Sequence, residues 1–200
     1  MLQAALTALH HGQVIGLPTE TLFGLAADPW NPAALDRLIR LKERPMDKGF
    51  ILLIDETMDL DTLLRPPSPL AVRLMKQFWP GPLTLVLPAR SDLPPFLTGD
   101  SGFVAVRHSP SPIVGALLAA WHKPLISTSA NRAGGVPSDT AEGVRAIWPD
   151  EKLVVLDGPI RPNALPSTLL RVDGDQATLL RPGAIPLDLL RSHLPDLGGA

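Results

Sequence analysis

The sequence contains no cysteine and no tyrosine among its 200 residues. Without cysteine there can be no disulfide, no thiolate metal site and no cysteine nucleophile. Aromatic residues make up only 4% of the chain, so the core has to be assembled from Leu, Val, Ile and Ala within an apolar fraction of 45%. Charge of one sign is missing too. Eighteen Lys and Arg stand against twenty Asp and Glu, a formal net charge of -2. A protein that grips a polyanion by bulk electrostatics is normally basic, so nucleic acid could be held only through a local patch. No apolar run approaches the roughly 20 residues that a membrane-spanning helix needs. The opening MLQAALTALHHGQV has no basic leader and reads as a helix face, not as a signal peptide. Neither a GxxxxGK[ST] phosphate loop nor a GxGxxG fingerprint is present. HExxH and GxSxG are also absent, which removes the common zinc-protease and serine-hydrolase readings.

Proline is abundant, at 23 residues, but it is scattered as helix starts and loop stiffeners and marks no linker. The length suits one domain over residues 1–200. Periodicity predicts helices from Met1 to His11, after Asn31-Pro32, after Ser68-Pro69, after Ser111-Pro112, over Thr140 to Trp148 and from Pro186 onward. At the second, Asn31 is the N-cap and Pro32 the first helical residue. Short apolar runs predict strands at Val14–Leu17, Phe50–Ile54, Leu83–Leu87, Val104–Val106, Leu125-Ile126, Leu153–Leu156, Thr168–Val172 and Thr178–Leu180. Strands alternating with helices and then clustering argue for an α/β or α+β fold with a mixed sheet and flanking helices. Ligands in such sheets sit where strand ends turn into loops.

Four strand-end loops carry chemistry. Pro18-Thr19-Glu20-Thr21, continuing into Phe23-Gly24-Leu25, sets hydroxyls around a carboxylate; a capped turn is the plainer alternative. In Leu41–Gly49, Pro45 disfavours helix at Arg44 and ends the preceding helix near Glu43. Arg44 is thereby freed to lie beside Lys42, and Lys48 follows; three cations on a short stiff loop suit a triphosphate, although a solvated helix end has the same composition. Ser127-Thr128-Ser129-Ala130-Asn131 follows Leu125-Ile126 with more small donors than a helix cap needs. Arg181 enters a Pro182-Gly183 turn, with Arg107 as a companion at the end of Val104–Val106, though a strand-end arginine is often only a surface ion pair.

Seven ordered segments, PTETLFGLAADP, LKERPMDKGFILLI, WPGPLTLVLP, VAVRHSPSP, PLISTSANRAGGVPS, PSTLLRV and LLRPG, resemble the YrdC/TsaC family of threonylcarbamoyl-AMP synthases. KxR (Lys42, Arg44) followed by SxN (Ser129, Asn131) is the specific part of the match. The resemblance implies a twisted α/β fold with a large, positively lined cavity. It implies a cytoplasmic nucleotidyltransferase that makes threonylcarbamoyl-adenylate and pyrophosphate from ATP, L-threonine and bicarbonate or carbon dioxide. Magnesium would accompany the ATP. Downstream proteins would transfer the group to tRNAs reading ANN codons, with tRNA itself a candidate partner and no membrane involved. By the same resemblance Arg44, Lys48, Phe103, Ser129, Asn131, Ser138 and Arg181 contact ATP, and Thr21, Arg107, Ser127 and Ser167 hold threonine. Lys42, Arg44 and Arg181 carry the catalytic charge. The chain ends soon after LLRPG and so resembles the short, single-domain bacterial form, with Leu53 where many relatives carry His. Two other readings stand beside it: a non-catalytic double-stranded RNA or tRNA-binding domain, and a carbamoyl-adenylate enzyme of the hydrogenase-maturation type. The latter brings acylphosphatase-like and Cys-rich modules that this sequence lacks.

Overall fold

The computed structural model describes residues 1–43, 50–160 and 164–198. Among the described residues nine strands form one mixed sheet: β1 (Ile15–Pro18), β2 (Phe23–Ala27), β3 (Ile51–Ile54), β4 (Leu83–Pro88), β5 (Phe103–His108), β6 (Leu125–Ser129), β7 (Val154–Val155), β8 (Thr168–Asp173) and β9 (Gln176–Arg181). Their spatial order is β7-β1-β2-β6-β3-β5-β4-β8-β9. β1 with β7, β3 with β5 and β4 with β8 run parallel, and the remaining neighbours are antiparallel.

Seven α-helices among the described residues flank the sheet: α1 (Leu2–His10), α2 (Pro32–Lys42), α3 (Pro69–Phe78), the short α4 (Pro95–Thr98), α5 (Pro112–Trp121), α6 (Ala141–Ile147) and α7 (Leu187–His193). The proline-led starts form as the sequence predicts. Asn31 Oδ1 accepts from Ala34 N at 3.2 Å and Ser68 Oγ accepts from Ala71 N at 3.2 Å, each meeting one of the donors a helix start leaves unpaired. α2 ends at Lys42, and Glu43 follows it in the left-handed region at φ 50°. No helix among the described residues is long and apolar enough to cross a membrane.

The two faces of the sheet are covered unequally, and this creates the site. One face carries the larger core, where Phe23, Leu25, Leu52, Leu85, Val106 and Ile126 meet α2, α3 and α6 through residues such as Leu38, Leu74 and Val144. On the other face α1 and α5 cover Ile15, Leu17, Ala26, Leu53 and Leu125 with Leu9, Val114 and Leu118. Side chains two apart on a strand share a face. Leu53 is therefore sealed under the smaller cluster while Ile51 lines an open cavity. β6 makes the same transition, from buried Leu125 to cavity-lining Ser127 and Ser129.

Two segments differ from the sequence reading. Phe23-Gly24-Leu25 is not a loop but the first part of β2, which pairs back on β1 with Pro18 opposite Phe23. Ser127 to Ser129 lie within β6, paired to β2 with Ala26 opposite Ser127 and Gly24 opposite Ser129. In both cases interstrand pairing overrides a local composition of Gly, Ser and Thr.

Candidate functional site

The cavity measures about 490 Å³, within the range typical of small-molecule sites. Its walls come from separate parts of the sheet. Thr19 and Thr21 stand on the β1–β2 turn, Ser127, Thr128 and Ser129 on β6, Phe103, Ala105 and Arg107 on β5, and Ser167 and Arg181 at the start of β8 and the end of β9. Gly99, Asp100 and Ser101 close one side. Small residues are required on its floor: a Cβ on Gly24 would sit 2.9 Å from Ser127 Oγ.

The tip of the first hairpin is built by Thr19. Its hydroxyl donates to Leu22 O at 2.7 Å and accepts from Leu22 N at 3.1 Å, which closes the turn without help from solvent. Thr21 Oγ1 lies 3.0 Å from Thr19 Oγ1 and accepts from Arg107 Nη2 at 3.0 Å. The same Arg107 nitrogen donates to Glu20 Oε1. Arg107 is 5% exposed, and its Nε has no partner among the described residues.

A second cluster lies across the cavity. Arg181 Nη2 donates to Ser167 O at 2.9 Å and to Ser167 Oγ at 3.2 Å, and Ser167 Oγ is 2.7 Å from Thr84 Oγ1. Gly183 makes this closeness possible, because a Cβ there would fall 2.3 Å from Pro166 O and 2.6 Å from Thr168 N. Burial, and after it the like charge of Arg107, lower the Arg181 pKa from its ordinary value. Its Nε is buried and also lacks a partner among the described residues. A buried Arg107 and a part-buried Arg181 lining one hollow suit an anionic ligand.

Thr21, Phe103, Arg107, Ser127, Ser129, Ser167 and Arg181 are thus brought together around the cavity. Lys42, Asn131 and Ser138 are not among its lining residues. Lys42 is 4% exposed and stands behind the wall. Its ammonium donates to Ser129 O at 2.7 Å, Asn131 O at 2.6 Å and Asn131 Oδ1 at 3.2 Å. A buried ammonium needs such acceptors, and β6 and its following loop supply them. Asn131 uses its Nδ2 on Arg132 O at 2.7 Å and Gly135 O at 2.8 Å, so its carboxamide folds the loop. Ser138 Oγ accepts from Thr140 N at 3.2 Å next to the start of α6. Arg44 and Lys48 lie outside the described residues. Leu53 is 1% exposed within the smaller apolar cluster.

Sequence reasoning did not single out Thr84 or Ser109, which support Ser167 and Glu20 from behind. Thr84 sits inside an apolar run, and a lone hydroxyl at 0% exposure in a strand was the available signal only once burial is known.

The fold and the cavity define a mixed-sheet α/β protein with a cationic, hydroxyl-lined hollow at its strand ends. The chain belongs to the Sua5/YciO/YrdC family, described as telomere recombination, whose model matches residues 7–183. It is 40% identical over 184 residues to the threonylcarbamoyl-AMP synthase of Vibrio vulnificus (strain YJ016), covering 91% of this chain and 98% of that one. It is 42% identical over 162 residues to the threonylcarbamoyl-AMP synthase of Thiobacillus denitrificans, covering 81% of this chain and 86% of that one. Its structure is similar to that of P. abyssi Sua5 complexed with L-threonine, with a TM-score of 0.91 and 30% identity. The whole of this chain is covered in that comparison, and it spans 58% of the Sua5 chain.

Proposed function

We propose that this protein is a threonylcarbamoyl-AMP synthase, which joins L-threonine, bicarbonate or carbon dioxide, and ATP into threonylcarbamoyl-adenylate with release of pyrophosphate. The observation that carries the proposal is the meeting of Arg107, Arg181 and the hydroxyls of Thr21, Ser127, Ser129 and Ser167 in one cavity. The names borne by relatives at about 40% identity support the same reading. Residues 1–200 act as one YrdC-like domain, in the cytoplasm where ATP and tRNA are found. The product passes to separate transfer proteins that modify tRNAs reading ANN codons.

Threonine lies against Thr21, Arg107, Ser127 and Ser167, and its carboxylate is the natural partner of an arginine fork. The nucleotide lies toward Phe103, Ser129 and Arg181, with Arg44 and Lys48 on its phosphates. Lys42 and Asn131 serve it indirectly by holding the end of β6. Ser138 joins the ATP side at the start of α6.

The threonine nitrogen adds to carbon dioxide and loses a proton, giving a carbamate. A carbamate oxygen attacks the α-phosphorus as the bond from that phosphorus to the bridging oxygen breaks, and pyrophosphate leaves with the electron pair. No covalent enzyme intermediate is required, so the protein contributes position and charge stabilisation. Magnesium would accompany the nucleotide as MgATP and share the charge on its phosphates.

The test is pyrophosphate release from ATP, with threonine and bicarbonate each omitted in turn. Release that requires both, accompanied by a threonylcarbamoyl-adenylate mass, is the expected result. Release independent of threonine, or RNA binding with no release at all, would overturn the assignment.

A further inference from the structure

Glu20 lies behind the cavity wall and is not one of the residues lining it, although Thr19, Thr21 and Arg107 all are. Both of its carboxylate oxygens are engaged. Oε1 accepts from Arg107 Nη2, and Oε2 accepts from the Ser109 hydroxyl at 2.6 Å. Ser109 is 4% exposed, and its Oγ also accepts from Ser111 N at 3.2 Å at the start of α5. The Ser111 hydroxyl in turn donates to Pro18 O at 3.0 Å, which returns to the hairpin that carries Glu20. The carboxylate is therefore held between a strand-end arginine and a helix start, on two elements other than its own turn.

This arrangement does two things to Arg107. Nη2 is held by Glu20 and Thr21, which fixes the plane of the guanidinium, while Nη1 and Nε have no bond to a described residue. A planar fork held at one tip presents its other amino group, Nη1, in a defined direction, while Nε is buried in the wall. The negative charge also balances Arg107 against Arg181, whose like charge acts within the same cavity.

We propose that Glu20 is a positioning residue for the amino-acid end of the site: it orients Arg107 toward the substrate carboxylate and keeps that arginine from competing for the nucleotide phosphates. The proposal rests on the function given above. Loss of Glu20 then has opposite consequences for the two substrates. The amino acid loses an oriented partner, while the cavity becomes more positive and holds the polyanionic nucleotide no less well. A residue needed only for folding would weaken both alike.

The experiment is pyrophosphate-release kinetics on the full chain, comparing wild type with Glu20→Gln, Glu20→Ala, Ser109→Ala, Arg107→Ala and the Glu20→Ala/Arg107→Ala double variant. Thermal unfolding is measured alongside. Glu20→Gln and Glu20→Ala should lower kcat/KM for threonine by roughly ten- to a hundredfold, the usual effect of a lost charge-assisted hydrogen bond. KM for ATP should stay the same or fall. Ser109→Ala, which keeps the charge but frees one oxygen, should give a smaller loss in the same direction and carries the test if Glu20→Ala does not fold. The double variant should be no worse than Arg107→Ala, because Glu20 acts through that arginine. Equal losses for threonine and ATP, unchanged or improved use of threonine, or additive effects in the double variant would each overturn the role. A wild type with no threonine-dependent release would bring down the functional reading and this proposal together, whereas an active wild type matched by its Glu20 variants would remove only the proposal.

Discussion

Lys42 and Arg181 are both cations near the cavity, but they are held in different ways. Lys42 is buried with its ammonium on three acceptors from Ser129 and Asn131. Replacing it with Met strands those acceptors beneath the loop, so Lys42→Met should cost about 2–4 kcal/mol of stability, measured by urea unfolding. Activity should fall with it, as the end of β6 shifts. Arg181 donates to Ser167 and lines the cavity, its Nε buried without a partner among the described residues. Arg181→Ala should reduce turnover by roughly a hundredfold, the scale of a lost transition-state donor, with a much smaller change in unfolding midpoint. Burial lowers the Arg181 pKa in the folded state, so folding disfavours the charged form at every pH below that lowered value. Because an arginine side chain starts so high, it stays charged through neutrality. The burial cost is therefore constant there, and Arg181 should add no slope to a stability profile taken around neutral pH.

At the scale of elements, the site depends on how closely β8 and β9 approach at their ends. Gly183 permits this, as its missing Cβ would strike backbone atoms of residues 166 to 168. Backbone cannot rotate aside as a side chain can. Gly183→Ala should destabilise the protein by about 1–3 kcal/mol and reduce activity beyond that, since Ser167 and Arg181 would separate; a melting curve and a pyrophosphate assay on one preparation check both. A glycine opening a turn after Arg181-Pro182 is legible in the sequence, but which chain segment it must clear is not. The helices were more legible. Asn31-Pro32, Ser68-Pro69 and Ser111-Pro112 all open helices because the fixed proline torsion acts locally, aided at the first two by side-chain caps. β2 was missed because Phe23-Gly24-Leu25 has weak strand preference of its own, and only its pairing to β1 and β6 makes it a strand.

For the whole molecule, the cavity exists because α1 and α5 cover only part of one sheet face. The open remainder sets two arginines and several hydroxyls among apolar walls, and ligand binding there should stabilise the folded chain by mass action. Threonine and a non-hydrolysable ATP analogue, each at about a hundred times its dissociation constant, should stabilise the protein by about 2.7 kcal/mol. A rise in unfolding temperature with each ligand is the expected outcome. Failure of both to raise it would argue against the site. With a net charge of -2, general affinity for nucleic acid should be weak and disappear as salt is raised, measured by tRNA binding at two ionic strengths.

The sequence by itself determined the local grammar of this protein. It set the helix starts, the apolar strands, the exclusion of cysteine chemistry, and the family, through motifs that lie in order along the chain. Only the tertiary structure decided which polar residues share a space. It brought Thr21, Arg107, Ser127, Ser167 and Arg181 into one hollow and placed Lys42, Asn131 and Ser138 outside its lining. It also tied Glu20 to Arg107 across 87 positions of chain. Caps and periodicity depend on neighbours a few residues apart, whereas a cavity depends on strand register and on which face each helix leaves uncovered, and those are fixed by contacts between segments remote in sequence.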